Sequence, residues 1–317
     1  MVQLSIIIPI YNTASSINRC LDSIFNQTTT YLYEVIIVDD GSTDNSIEII
    51  KSRKETNIIL YQQKNAGPAV ARNKGVELAQ GKYCAYLDAD DYWKEGFIEE
   101  TVTFLENHPE CIAVSVAQHH ITISGSSIVP TCYMQYTEPF VLNDFFTFWA
   151  KYMHVCTGST TIRTEILHKT GGQRTDLRIT EDLEFWALIS TYGNWGVIPK
   201  ILFVSNGNEI TYQQGWLNKM TIRWNNAPSI TEWEKRIILR LPKLTKSYKK
   251  ARGKISRNLT YCQILSGRLS LSRSEAMKYG HYFNKDYIGI LMNIAKYSSF
   301  TWNLLTIILK YREYHRK

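Results

Sequence analysis

The first hundred residues alternate between continuous apolar runs and amphipathic stretches. Leu4-Ser5-Ile6-Ile7-Ile8 is the first run and ends at Pro9; residues 34–38, 57–61 and 83–87 form three more. Short apolar runs rich in Ile and Val predict strands buried on both faces. Between them, residues 14–25 place Ile17, Leu21 and Ile24 on one helical face. Residues 42–51 read as a helix capped by Ser42 or Thr43, and residues 68–79 as a helix ended by Gly81. The alternation predicts an α/β fold with a mainly parallel sheet flanked by helices. Beyond about residue 110 the pattern loosens. Residues 111–116 suggest another strand, 180–191 a helix, and the chain from 226 onward a smaller, basic, mainly helical region. The expected division is therefore 1–225 and 226–317, with no internal repeat.

Charge sharpens that division. The 36 Lys and Arg outnumber the 29 Asp and Glu, yet residues 235–274 hold twelve Lys or Arg and no acid. Two regions with different partners are implied. With 317 residues and 44% hydrophobic content the chain can bury a large core. The six cysteines are scattered without a Cys-x-x-Cys pair, which argues against structural zinc and a disulfide framework and for reduced thiols in a cytosolic protein. Residues 4–10 are too short, lack a basic leader and contain Pro9, so no signal peptide is expected. No apolar run approaches the ~20 residues that span a bilayer.

In a parallel sheet, functional groups gather at the carboxyl ends of the strands. Those ends here carry Pro9-Ile10-Tyr11-Asn12, Asp39-Asp40-Gly41-Ser42, Asn65-Ala66-Gly67-Pro68 and Asp88-Ala89-Asp90. Asp88 and Asp90, two apart where the chain turns, could converge on a hard divalent cation such as Mn²⁺ or Mg²⁺ whose shell phosphate oxygens complete. An isolated Asp-x-Asp is otherwise an ordinary solvated turn. Tyr11 offers a ring to a nucleobase. One of Asp39 and Asp40 can accept from a base or ribose while the other caps a helix. Arg72, a turn into the segment after Pro68, suits a diphosphate. Neither a Gly-x-Gly-x-x-Gly nor a Gly-Lys-Ser/Thr loop follows the first strand, which argues against dinucleotide enzymes and P-loop nucleotidases.

These segments resemble the family 2 glycosyltransferases of GT-A, Rossmann-like fold, strongly over residues 3–100 and more weakly to about 225. The resemblance implies a nucleotide-sugar donor, usually UDP-linked. Pro9, Tyr11, Asp40, Asn65, Arg72 and Asp88 would contact it, and Asp90 with Asp88 would bind Mn²⁺ or Mg²⁺. It also implies a catalytic base. Thr180-Glu181-Asp182-Leu183-Glu184-Phe185-Trp186 resembles the family's Glu-Asp motif, with Asp182 deprotonating an acceptor hydroxyl and Glu181 positioning the acceptor. First-turn acids favoured by the helix dipole are the plain alternative for that pair. Direct attack opposite the leaving group would invert the anomeric centre.

Two departures stand out. Many relatives carry a His after the next strand; the comparable stretch, Phe203-Val204-Ser205-Asn206-Gly207-Asn208-Glu209, has none, leaving either Asn206 or Asn208 as a substitute or a metal held by Asp90, phosphates and water. The processive Gln-x-x-Arg-Trp motif is missing, with Gln213-Gln214-Gly215-Trp216 only an echo, so addition of a single hexosyl or N-acetylhexosaminyl unit is expected. His119 and His120 read as structural. Residues 300–309 are apolar and are followed by a basic tail, which suits a helix on an anionic membrane or, alternatively, a helical bundle with solvated cations. The expected enzyme adds one sugar to a lipid-linked glycan or polysaccharide, peripherally at the cytoplasmic membrane face, without nucleic acid. The alternatives are a non-catalytic nucleotide-sugar or glycan-binding module and a nucleotidyltransferase.

Overall fold

The computed structural model describes residues 1–122, 125–129, 135–206, 216–241 and 243–314. The chain divides into two compact units. The first comprises Met1–Phe148, Tyr152–Thr175 and Glu181–Thr211; the second comprises Trp149–Lys151, Asp176–Thr180 and Tyr212–Lys317.

The first unit is built on one sheet. Strands β1 (Leu4–Ile10), β2 (Tyr33–Asp39), β3 (Ile58–Gln62) and β4 (Tyr83–Tyr86) are mutually parallel, in the order β3-β2-β1-β4. Their side chains are buried on both faces in β1, β2 and β4, as the unbroken apolar runs require. Helices α1 (Ile17–Phe25), α2 (Ser46–Lys51) and α3 (Pro68–Leu78) connect them. The sheet continues through β9 (Thr160–Arg163), antiparallel to both β4 and β6 (Cys111–Thr122), then β10 (Asn194–Asn206), parallel to β6. Short strands β5 (Tyr92–Trp93), β7 (Gly125–Val129) and β8 (Phe140–Val141) add antiparallel edges. Helices α4 (Phe97–Asn107), α5 (Phe145–Tyr152), α6 (Thr164–Thr170) and α7 (Glu181–Ile189) complete the series.

Three elements differ from the sequence expectation. Helix α2 starts at Ser46 rather than Ser42. The polar residues that looked like caps are drawn into loop contacts instead: Ser42 Oγ accepts from Asn12 N at 3.0 Å, and Thr43 N donates to Asn12 Oδ1 at 2.8 Å. Asp44 accepts from Ser46 N and Ala14 N, both at 3.0 Å, which fixes the chain just ahead of the helix. Helix α1 begins at Ile17, behind a turn in which Thr13 N donates to Ser46 Oγ at 2.8 Å. Strand β6 runs to Thr122, well past 116, because it pairs along much of β10.

The second unit contains α8 (Trp216–Asn225), α9 (Ile230–Arg240), α10 (Lys246–Leu265), α11 (Leu269–Tyr279), α12 (Tyr287–Ala295) and α13 (Ser299–Tyr314). Three of these helices have side-chain N-caps: Ser229, Thr245 and Asp286 accept from the backbone amides of Glu232, Tyr248 and Gly289. Among the described residues no helix is long and apolar enough to cross a membrane. Cys20, Cys84, Cys111, Cys156 and Cys262 are free thiols; Cys132 lies outside the described residues.

Candidate active site

The carboxyl ends of β1, β2 and β4 and the start of α3 surround a cavity of about 620 Å³. Pro9, Tyr11, Asp40, Asn65, Arg72, Asp88 and Asp90 all line it. Tyr11 is 51% exposed, leaving its ring face available at the rim.

Asp40 directly follows β2 and is buried. Its Oδ1 accepts from Gln63 Nε2 and from Ala66 N, both at 2.8 Å, and its Oδ2 from Gly67 N at 2.7 Å. The carboxylate thus shapes the loop that carries Asn65. Two glycines make that loop possible. Gly41 has φ +84°, and a Cβ there would lie 3.1 Å from Asn65 N; Gly67 has φ +98° and hands the chain to Pro68 at the first position of α3. Asp39 is the partner that turns the chain, accepting from Ser42 N at 2.9 Å.

Arg72, one turn into α3, is buried and points at the acidic strand end. Its Nη2 donates to Asp88 Oδ1 at 2.7 Å. Its Nη1 reaches Gln173 Oε1 at 3.4 Å, and Nε has no hydrogen-bond partner. Burial works against its charge, but Asp88, followed by Glu181 and Asp182, holds the guanidinium above its usual pKa. Arg72 therefore lies in the electrostatic field of both the strand-end acids and the pair that opens α7.

The acidic turn is fixed from several sides. Asp91 N donates to Asp88 O at 3.0 Å, closing the turn. Arg19 of α1 donates to Asp90 O at 2.6 Å. Asp91 is buried and accepts from Asn206 N at 2.9 Å. Burial, with Asp90 and Asp88 beside it, pushes its carboxyl up to about 7. Asn206 thus meets the turn through its backbone, while Asn208 and residues 213–215 lie outside the described residues. His120 Nε2 donates to Gln118 Oε1 at 2.9 Å, within β6.

Helix α7 opens with Glu181 and Asp182 directly after Thr180, whose φ of +60° is rare for a β-branched residue. Gln173 and Asn73 are the residues that sequence reading missed. Asn73 Nδ2 donates to Gln173 O and Gln173 N donates to Asn73 Oδ1, both at 2.8 Å, so the backbone at 173 is clamped to α3 beside Arg72. No local signal marks a contact between residues 100 apart in sequence.

The residue types suit a hard cation: Asp88 and Asp90 both line the cavity, Asp88 Oδ1 is engaged by Arg72, and phosphate or water oxygens can supply the rest of a shell. Among the described residues no three His, Cys, Asp or Glu side chains are grouped for a metal held by protein alone.

Comparison with known proteins agrees with this architecture. An uncharacterized glycosyltransferase, YibD, of Escherichia coli (strain K12) is 52% identical over 91 residues, 28% of this chain and 26% of the relative. TuaG of Bacillus subtilis (strain 168), a putative teichuronic acid biosynthesis glycosyltransferase, is 39% identical over 104 residues, 32% of this chain and 41% of the relative. The matched segments thus span less than half of either relative. The crystal structure of S. aureus TarS 1-349 in complex with UDP superposes with a TM-score of 0.56 at 18% identity, covering 88% of this chain and 89% of that one. That similarity is one of fold, the GT-A arrangement of a mainly parallel sheet between helices. The model of Glycosyl transferase family 2 matches residues 5–171, more than half of the chain, and the chain belongs to that family.

Proposed function

We propose that the protein is an inverting glycosyltransferase that moves one sugar from a nucleotide-sugar, of the UDP class, to a lipid-linked glycan or polysaccharide acceptor. The observation that carries this reading is Arg72. It pairs with Asp88 at 2.7 Å, and Glu181 and Asp182 of α7 also act on its charge, which links the acids that open α7 to a cavity whose lining holds Arg72 and Asp88 but neither Glu181 nor Asp182. The complex of TarS with UDP supports the donor class, and the name of TuaG supports a cell-surface polymer as acceptor.

In this reading Pro9 and Tyr11 receive the base, with the Tyr11 ring stacking on it. Asp40 acts through the loop it holds, setting Asn65 against the donor. Asp88 and Asp90 would hold a divalent metal, Mn²⁺ or Mg²⁺, which when bound offsets charge on the departing diphosphate. Arg72 fixes Asp88 and adds positive charge where the diphosphate lies. Asp182 accepts the proton of the acceptor hydroxyl as its oxygen bonds to the anomeric carbon. The bond from that carbon to the diphosphate oxygen breaks with the electron pair leaving on the nucleotide. Glu181 orients the acceptor. The basic second unit brings the enzyme to lipid-carried acceptors at the cytoplasmic membrane face.

The test uses Asp182→Asn and a panel of UDP-sugars with Mn²⁺. Donor should still raise the melting temperature of the variant, because binding stabilises the fold by mass action. Transfer, or slow donor hydrolysis, should fall by about 10²- to 10⁴-fold, the usual contribution of a positioned base. Full turnover by the variant would remove Asp182 from the mechanism. No melting shift with any nucleotide-sugar would remove the donor reading altogether.

A further inference from the structure

Helices α12 and α13 are apolar on two sides. On one side Met292, Trp302, Leu305 and Leu309 are buried, and Trp302 Nε1 donates to Ser272 Oγ of α11 at 3.2 Å. The other side faces solvent. Tyr287 and Ile294 of α12 and Phe300, Leu304, Ile307 and Tyr311 of α13 are between 48% and 76% exposed. Positions 300, 304, 307 and 311 step by four, three and four, so they form a single stripe along α13. A helix that is apolar all round is normally covered on all sides, and a stripe of this kind marks an interaction surface.

The chemistry around the stripe identifies what covers it. Exposed Lys285 stands two residues before Tyr287, and exposed Arg312 follows Tyr311. Residues 212–317 hold twenty-one Lys or Arg against five Asp or Glu, whereas residues 1–211 hold fifteen against twenty-four. Tyr287 and Tyr311 place amphipathic rings near the two ends of the apolar stretch. Aliphatic side chains, terminal tyrosines and surrounding cations match the three layers of an anionic bilayer surface: acyl boundary, headgroup and phosphate. A second copy of the chain would bring the same excess of positive charge against itself, which disfavours a symmetric pair.

We propose that the outward face of α12 and α13 enters the boundary between headgroups and acyl chains of an anionic bilayer. This rests on the membrane reading given above and names the surface that carries it. Apolar insertion supplies the binding, and the cations add attraction that salt screens.

The experiment floats the full chain with phosphatidylcholine vesicles, with and without phosphatidylglycerol. The wild type should bind the anionic vesicles at least about tenfold more than the neutral ones. Two variants separate the contributions. Ile294→Glu/Phe300→Glu/Ile307→Glu alters only exposed stripe positions, and Lys243→Glu/Lys246→Glu/Lys250→Glu alters only exposed cations near α10. The stripe variant, with unchanged melting temperature, should lose about tenfold or more of its vesicle binding. If it binds like the wild type while the lysine variant does not, the membrane reading stands and the stripe is overturned as its surface. If the wild type binds neither vesicle, both fail. A dimer in solution that the stripe variant dissociates would also overturn the proposal, by assigning the face to a second copy. Donor-induced melting shifts in both variants report separately on the transferase reading.

Discussion

Among the described residues each unit holds a buried arginine against a carboxylate, and the two pairs are built to different ends. In the second unit, Arg252 and Glu234 lie 3.0 Å apart with side chains 7% and 6% exposed. Arg252 sits 4.6 Å from the Tyr279 ring centroid and near those of Tyr248 and Tyr282, while Glu234 also accepts from Tyr248 Oη at 2.9 Å. Charge is matched one to one and walled by aromatic faces. In the first unit, Arg72 is equally buried, but Asp88 is 32% exposed and two further carboxylates act on the same guanidinium. Three carboxylates act on one guanidinium there. A matched pair holds structure together. A carboxylate that pairs with a buried arginine yet stays a third exposed on a cavity wall can still meet a metal, a proton or a hydroxyl, and that access is what distinguishes a site from a staple.

The largest effect should come from breaking the matched pair. Glu234→Ala strands the Arg252 guanidinium in the interior, and should cost about 3–5 kcal/mol in urea unfolding. A loss below about 1 kcal/mol would mean that water reaches Arg252, and the contrast between the pairs would collapse. Asp40→Ala comes next. It deprives Gln63, Ala66 and Gly67 of their acceptor. Ala66 is exposed and Gly67 half-buried, so water replaces part of what is lost and the two hydrogen bonds imply a cost of about 1–3 kcal/mol. Hydrogen exchange at the amides of Ala66 and Gly67 should quicken in step; unchanged protection there would show that the loop is held by something else.

The comparison also shows what the sequence can reveal. Strands β1, β2 and β4 were legible because burial on both faces leaves unbroken Ile and Val runs, and the strand-end acids followed from the geometry of a parallel sheet. Arg72 was legible as a cation one turn into a helix. Its neighbour Gln173 was not, because nothing local marks a side chain that arrives from 101 residues away. The start of α2 was misread because Ser42 and Thr43 had two possible partners, the helix ahead and Asn12 behind, and only the folded loop chooses. The exposed side of α13 was half legible: its apolar content was plain, but not which residues would be buried by α11 and which left outside.

A third buried titratable group offers a smaller test, since burial alone, with no charged group among the described residues, shifts it. Both ring nitrogens of His154 are buried without hydrogen bonds, among Phe145, Phe148 and Trp195. Burial alone lowers its pKa to about 3. The unfolded chain, near the ordinary 6.5, takes up a proton that the folded chain refuses. This contribution to stability is complete above pH 6.5 and is lost as pH falls toward 3, by about 1.4 kcal/mol per pH unit. His154→Phe should flatten that part of the pH–stability curve. A slope unchanged by the substitution would assign the acid sensitivity to the carboxylates instead.

The smallest change in stability should come from the unmatched pair, and it should carry a large change in activity. Asp88→Asn keeps an oxygen for Arg72 Nη2 at the same position and removes a charge from a side chain already a third exposed. Solvent screening limits the loss to below about 1 kcal/mol. Transfer should nevertheless drop by about ten- to a hundredfold, the value of one charge-assisted contact. If Asp88 acts on metal and donor, raising Mn²⁺ should recover part of that loss, and the defect should appear first in KM for the donor. If Asp88 only anchors Arg72, the asparagine supplies the anchor and turnover should stay near wild type. Stability and activity moving together in this variant, as they would for Glu234, would erase the distinction between the two arginines.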